Sequence, residues 1–139
     1  MMERKLVRNI VRYLTKKGYR TAVEVPFLSR SIDIVYRTRT GEIVAIEVKM
    51  TDWKRALNQA KYCLLGASRV YICLPERTLM ENTRSKIRSM GIGLIHADRP
   101  SNGRKAMRFV IGATRNQVVD KHCRRILKAA FLNKSEGES

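Results

Sequence analysis

Three side chains in the first half of the chain have the types and spacing to do chemistry together. They are Asp33, in the run Ile32-Asp33-Ile34-Val35, and Glu47 and Lys49, in the run Ile46-Glu47-Val48-Lys49. Arg39-Thr40-Gly41, between the runs, has the form of a three-residue hairpin loop with glycine where a positive φ is needed. That loop sets Thr38 opposite Glu42 and, followed back along both strands, Asp33 opposite Glu47. Lys49 lies two residues beyond Glu47 and so shares its face. Ile32, Ile34, Ile46 and Val48 then fall together on the other face. A slip of one residue would turn one strand's whole apolar set outward, so the apolar pattern supports the same register.

Two carboxylates opposed in this way lie about 5 Å apart at Cβ. At an effective dielectric of about 20 they repel by roughly 3 kcal/mol. A divalent cation between them reverses the sign of the interaction. A lysine alongside can hold or help deprotonate a water, or offset charge on an attacked phosphate. Acid, acid and lysine on one face are what metal-assisted phosphodiester hydrolysis requires. The competing account of the same residues is a solvent-facing strand surface with an ordinary Glu47–Lys49 neighbour pair.

Composition narrows the partner. The chain has 139 residues, 44% of them hydrophobic, which suits one domain with its own core. Lys and Arg number 29 against 12 Asp and Glu, a net charge of +17. The excess is spread along the chain, so the whole domain favours a polyanion, and nucleic acid is the expected partner. No apolar run approaches the ~18 residues of a membrane-spanning helix. The basic opening MMERKLVRNIVRYLTKKGY lacks the apolar core of a secretory signal. Cys63, Cys73 and Cys123 form no CxxC, and with His96 and His122 they complete no zinc pattern. The expectation is a cytoplasmic protein with reduced thiols and no membrane contact.

The elements that must position the acids follow from periodicity. Leu6, Val7, Ile10, Val11 and Leu14 predict a helix from about Glu3 to Lys17, ended by Gly18. Strands are predicted over Arg20–Pro26, Ser31–Thr38 and Glu42–Met50. Asp52 is placed to cap a helix from Trp53 to about Leu65. A buried strand at Val70–Leu74, a helix from about Arg77 to Met90, and strands at Ile92–His96 and Ala106–Ile111 follow. Thr114-Arg115-Asn116-Gln117 reads as a capping box opening a last helix. Its apolar stripe is Val118, Val119, His122, Cys123, Ile126, Leu127, Ala130 and Phe131. Its bases Arg115, Lys121, Arg124, Arg125 and Lys128 read as a nucleic-acid track or a solvated face. Residues 133–139 read as a flexible tail after a single domain over 1–132. The order is α/β with a mixed sheet.

Asp33 followed, one hairpin later, by Glu47-Val48-Lys49 resembles the PD-(D/E)XK nuclease superfamily, the restriction-endonuclease-like fold. Ile32 stands where the family's usual proline would be, as in divergent members. The order over residues 3–74 is similar to the family's αβββαβ core. The resemblance implies that Asp33 and Glu47, with the Val48 carbonyl, bind Mg²⁺ (or Mn²⁺) while Lys49 positions the water. Glu3 is similar to an acid that small archaeal Holliday-junction resolvases place near the metal. Its other role is a favourable charge at a helix N-terminus. Glu24 either faces the metal too or is a solvent-exposed strand residue. Gln59 and Tyr62 resemble the QxxxY feature of RecB-like nucleases, with a spacing one residue shorter. Arg30 and Ser31 fall at the mouth of the site, where Arg30 suits a neighbouring phosphate. Trp53 and Lys54 begin the next helix, where Trp53 either stacks on an unpaired base or packs on the sheet.

The resulting expectation is a Mg²⁺-dependent endonuclease acting on DNA rather than RNA. The alternative is a non-catalytic nucleic-acid-binding module on the same fold. A ribosome- or RNA-associated structural protein accounts for the charge but not for the opposed carboxylates. So short a chain has little surface left to grip a duplex. A two-fold homodimer is therefore expected, joined through an edge strand or the last helix's Ile126, Leu127 and Phe131.

Overall fold

Leu6, Ile10 and Leu14 recur every fourth residue, and burying that stripe fixes α1 (Glu3–Lys16) against the sheet. Gly18, at φ 88°, takes the left-handed turn that ends it. The chain continues as β1 (Arg20–Phe27), β2 (Arg30–Arg37), β3 (Ile43–Val48), α2 (Trp53–Cys63) and β4 (Arg69–Leu74). It closes with α3 (Glu81–Ser89), β5 (Gly93–Ala97), β6 (Met107–Ile111) and α4 (Lys121–Gly137). This computed structural model describes residues 3–75, 79–97, 107–117 and 119–137. Arg77, Ala106 and Val118, which the sequence reading placed in elements, lie outside them.

The six strands form one sheet in the order β1-β2-β3-β4-β5-β6. β1, β2 and β3 are an antiparallel meander; β3, β4 and β5 run parallel; β6 returns antiparallel to β5. α2 is the crossover that a parallel β3–β4 pair needs. Helices cover both faces. α1 packs on Ile34, Val44, Ile46 and Val48, while residues of α2, α3 and α4 share a cluster with Phe27, Val35, Ala45 and Ile72. β3 is therefore buried along its whole length, Glu47 included.

The last helix departs from expectation. Thr114–Gln117 does not open it, because Asn116 is tied elsewhere: its side-chain amide donates to the Leu64 carbonyl at 2.6 Å and its N–H to the Ser68 carbonyl at 2.7 Å. α4 starts later, where the Asp120 carboxylate accepts the Cys123 N–H at 2.9 Å. It runs on to Gly137, so the tail expected from residue 133 begins inside the helix. His122 is exposed rather than part of the apolar stripe. Leu127 and Phe131 are fully buried in the protomer's own core. Those two side chains are therefore not a free surface, whereas β6 presents Phe109 and Val110 partly exposed.

Gly93 of β5 lies between Tyr71 of β4 and Ile111 of β6. A Cβ there would clash with the Tyr71 ring and lie 2.7 Å from the Ile111 carbonyl oxygen. Gly93→Ala is expected to cost about 1–3 kcal/mol by overpacking. Thermal unfolding checks this; an unchanged melting temperature would mean that Tyr71 has room to swing aside.

Candidate active site

β2 and β3 pair in the expected register, from Arg37 opposite Ile43 to Ile34 opposite Ile46. Beyond Ile34 and Ile46 the side chain of Asp33 takes over. Its Oδ2 accepts the Val48 N–H at 2.8 Å, the bond a strand carbonyl would otherwise make. β1 is irregular at the same level. Val23 pairs with Ile34 and Val25 with Ile32, while Glu24 between them takes a φ of 49°. The alternation of β2 breaks here. Ile34 joins Ile46 and Val48 in the α1-side cluster, but Ile32 joins the α2-side cluster. The sequence expectation of Ile32, Ile34, Ile46 and Val48 on one face is thus corrected at Ile32. Strict period-two alternation does not survive an irregular strand.

The same irregularity changes how the two acids meet. Asp33 borders a cavity under α1 and Glu47 borders one under α2, so they do not project from a single flat face. The two carboxyls are nevertheless close enough for the Asp33 charge to act on Glu47. Glu47 is 4% exposed. Burial, then the Asp33 charge, pushes its carboxyl up to about 8. Burial raises Asp33 too, against the lowering effect of the Val48 N–H. The Lys49 ammonium favours the charged form of both acids. Lys49's own N–H donates to the Cys73 carbonyl at 3.0 Å, so its main chain is held in the parallel ladder with β4.

The α2-side cavity, of about 470 Å³, is bordered by Arg30, Ser31, Gln59 and Tyr62 as well as Glu47. The Arg30 guanidinium lies 4.7 Å from the Tyr62 ring centroid. The α1-side cavity, of about 640 Å³, has Arg4 and Arg8 at its edge and Glu3 and Glu24 beside Asp33. Glu3 Oε1 accepts the Met50 N–H at 3.3 Å, and its charge raises Asp33 further. Trp53 and Lys54 stand apart from both cavities. Trp53 packs against the α2-side core, and the Lys54 ammonium lies 5.8 Å from its ring centroid.

The sequence reading did not place Arg4 and Arg8 at the α1-side cavity, nor three polar residues of α2 at the other. Cys63 Sγ donates to Glu47 Oε1 at 3.6 Å, and burial followed by the Glu47 charge holds its thiol well above the usual range. Arg55 and Asn58 border the same cavity. The signal was present, since residues 55, 58, 59, 62 and 63 recur at helical spacing on one face of α2.

Among the described residues, no group of three or more His, Cys, Asp or Glu side chains is placed to hold a metal ion. Asp33 and Glu47 are therefore the acids available, with Glu3 and Glu24 nearby but not completing a cluster. The pair fits a hard divalent cation on its own chemistry. Burial raises both carboxyls, and the Asp33 charge raises Glu47 further, a repulsion that a cation between them removes. Mg²⁺ typically takes one or two protein carboxylates and keeps water in its other positions.

Taken together, the chain is a single α/β domain with a six-stranded mixed sheet, consistent with the restriction-endonuclease-like fold. No family model matches the sequence, and no curated protein matches it. Among solved structures, a protein of unknown function from Silicibacter pomeroyi superposes with a TM-score of 0.68 at 18% identity, over 99% of this chain and 89% of that one. A repair endonuclease from Pyrococcus abyssi superposes with a TM-score of 0.48 at 16% identity, over 67% of this chain and 47% of that one. No described helix is long and apolar enough to cross a membrane.

Proposed function

We propose that the protein is a metal-dependent endonuclease that hydrolyses phosphodiester bonds in nucleic acid, DNA in preference to RNA. The observation that carries this reading is a buried Glu47 and a half-buried Asp33, coupled in charge to each other and to Lys49, between two arginine-edged cavities. A +17 protein has many lysines and arginines that could neutralise these acids by direct ion pairing. Instead the ion pairs among the described residues are made by other acids, while the Asp33 charge acts on Glu47 and raises it.

Asp33, Glu47 and the Val48 carbonyl are the groups that would hold Mg²⁺ or Mn²⁺. The cation, when bound, supplies charge for the phosphate and acidifies a water. Lys49 orients that water and offsets charge as it builds on the phosphate oxygens. Arg30 and Arg55 hold phosphates on the α2 side, and Arg4 and Arg8 on the α1 side. Asp33 also fixes β3 through the Val48 N–H, so the backbone carrying Glu47 and Lys49 is set by a residue of the site itself.

The test is incubation of purified protein with Mg²⁺ or Mn²⁺ on supercoiled, linear, branched and single-stranded substrates. Cleavage that stops with a chelator is expected. Tight binding of every substrate with cleavage of none would replace this reading with a non-catalytic binding module.

A further inference from the structure

The basic side chains around the last helix do not form one uniform face. Arg115, Lys121 and Arg124 border a third cavity, of about 290 Å³, whose described wall is completed by Asn116, Gln117 and Val119. Arg125 and Lys128 are exposed and lie outside it. Among the described residues, no acid and no aromatic ring borders this cavity. The two nearby acids are engaged elsewhere. Glu42 holds Arg69 at 2.9 Å and Arg115 only at 3.7 Å, and the Asp120 carboxylate accepts the Cys123 N–H at 2.9 Å. Lys121 makes no ion pair among the described residues.

The wall is held in place from both sides. Arg124 Nη2 donates to Ser68 Oγ at 2.8 Å, and the Asn116 N–H donates to the Ser68 carbonyl at 2.7 Å. Cations fixed around one space repel each other, and a bound anion reverses the sign of that interaction. Guanidinium and ammonium donors together suit phosphate oxygens, and nothing in the described wall would stack a base. The location is as informative as the charge. The Ser68 N–H donates to the Ile43 carbonyl at 2.8 Å, so the cavity lies at the first residue of β3. Glu47 lies four residues further along that strand, about 13 Å at the usual strand rise.

We propose that this cavity is a separate phosphate site that grips a backbone phosphate of nucleic acid at a distance from the bond attacked. One strand of a duplex carries a phosphate every ~3.4 Å of its axis, so a substrate that reaches both places extends several nucleotides beyond that bond. The choice of nucleic acid as the carrier rests on the nuclease reading; the phosphate chemistry of the cavity does not.

The test sets four single charge removals against one another. Arg115→Gln and Lys121→Gln each take a cation from the cavity, while Arg125→Gln and Lys128→Gln each take one from outside it. All four residues are exposed, so each variant should fold, and a thermal melt checks that. Fluorescence anisotropy in a chelator measures the binding of a labelled DNA duplex to each full chain across a salt series. Each cavity variant is expected to bind about five- to tenfold more weakly near 0.1 M salt and to lower the salt slope by about one, the share of one phosphate contact. Arg125→Gln and Lys128→Gln should stay within about twofold of wild type, because salt screens charges that touch no phosphate. Equal losses in all four variants, or wild-type affinity in either cavity variant, would overturn the proposal. A second arm titrates inorganic phosphate at constant ionic strength, followed by phosphorus NMR. Phosphate bound by wild type and lost in Lys121→Gln, with DNA affinity unmoved in that variant, would assign the cavity to a free phosphate and overturn the nucleic-acid assignment. Cleavage in Mg²⁺ is scored separately. A cavity-specific loss of binding with no cleavage by wild type upholds the phosphate site and removes the nuclease reading; cleavage by wild type with equal losses in all four variants does the reverse.

Discussion

Asp33→Asn and Lys49→Ala are each expected to lower cleavage at least about a thousandfold while the protein stays folded. The two substitutions act on different parts of the chemistry. Asn in place of Asp33 keeps an oxygen to accept the Val48 N–H, as Asp33 Oδ2 does at 2.8 Å, so β3 should not move. It also removes one of two mutually repelling carboxylates, so stability should hold or rise. What it takes away is the negative charge that would hold a cation. Lys49→Ala leaves the main-chain bond to Cys73 in place and removes only the ammonium. Asp33→Ala is a useful contrast. It orphans the Val48 N–H in a buried strand and should cost about 1–3 kcal/mol in addition to activity. Single-turnover cleavage beside a thermal melt reads both quantities. An Asp33→Asn variant that cleaves at the wild-type rate would place the chemistry elsewhere.

The pairing of β2 with β3 was legible because a hairpin amplifies local information, whereas the separation of Asp33 and Glu47 onto different cavities was not. One glycine, Gly41 at φ 88°, and a three-residue loop fix the pairing of every residue behind them. The register that follows from the loop is the one observed between Ile34–Ile46 and Arg37–Ile43. Asp52 capping α2 was readable for the same reason: its carboxylate accepts the Arg55 N–H three residues on, a contact set by local sequence alone. What was not legible depends on distant chain. The break in alternation at Ile32 arises where β1 becomes irregular at Glu24, and no pattern within β2 announces it. Thr114–Gln117 has the composition of a capping box, but Asn116 bonds instead to carbonyls some fifty residues earlier in sequence. Leu127 and Phe131 could have faced a partner or the core, because periodicity marks an apolar stripe without saying what covers it.

Metal-dependent stability should change with pH in a direction fixed by Glu47. Its carboxyl titrates near 8 in the folded chain and near 4.3 when unfolded. A group whose pKa is raised on folding binds its proton more tightly in the folded state. Its stabilising contribution is therefore complete below the unfolded value and is lost as pH rises through about 8. Without metal, the protein should lose stability over that window. Asp33, also raised, adds to the loss in the same direction. A divalent cation needs the carboxylate form, so protons compete with it. Added Mg²⁺ should raise the melting temperature little near pH 6 and most near pH 8.5. At about 100 times its Kd the gain is about 2.7 kcal/mol, several degrees for a domain of this size. Glu47→Gln cannot titrate. In that variant the pH-dependent loss should shrink and the response to Mg²⁺ should disappear. The difference between wild type and variant cancels other groups that titrate in the same window, so melting curves of the two proteins across pH, with and without Mg²⁺, isolate this one carboxyl. Equal Mg²⁺ stabilisation of both proteins, or equal pH dependence without metal, would remove Glu47 from the metal site and leave its burial against Cys63 as a purely structural arrangement.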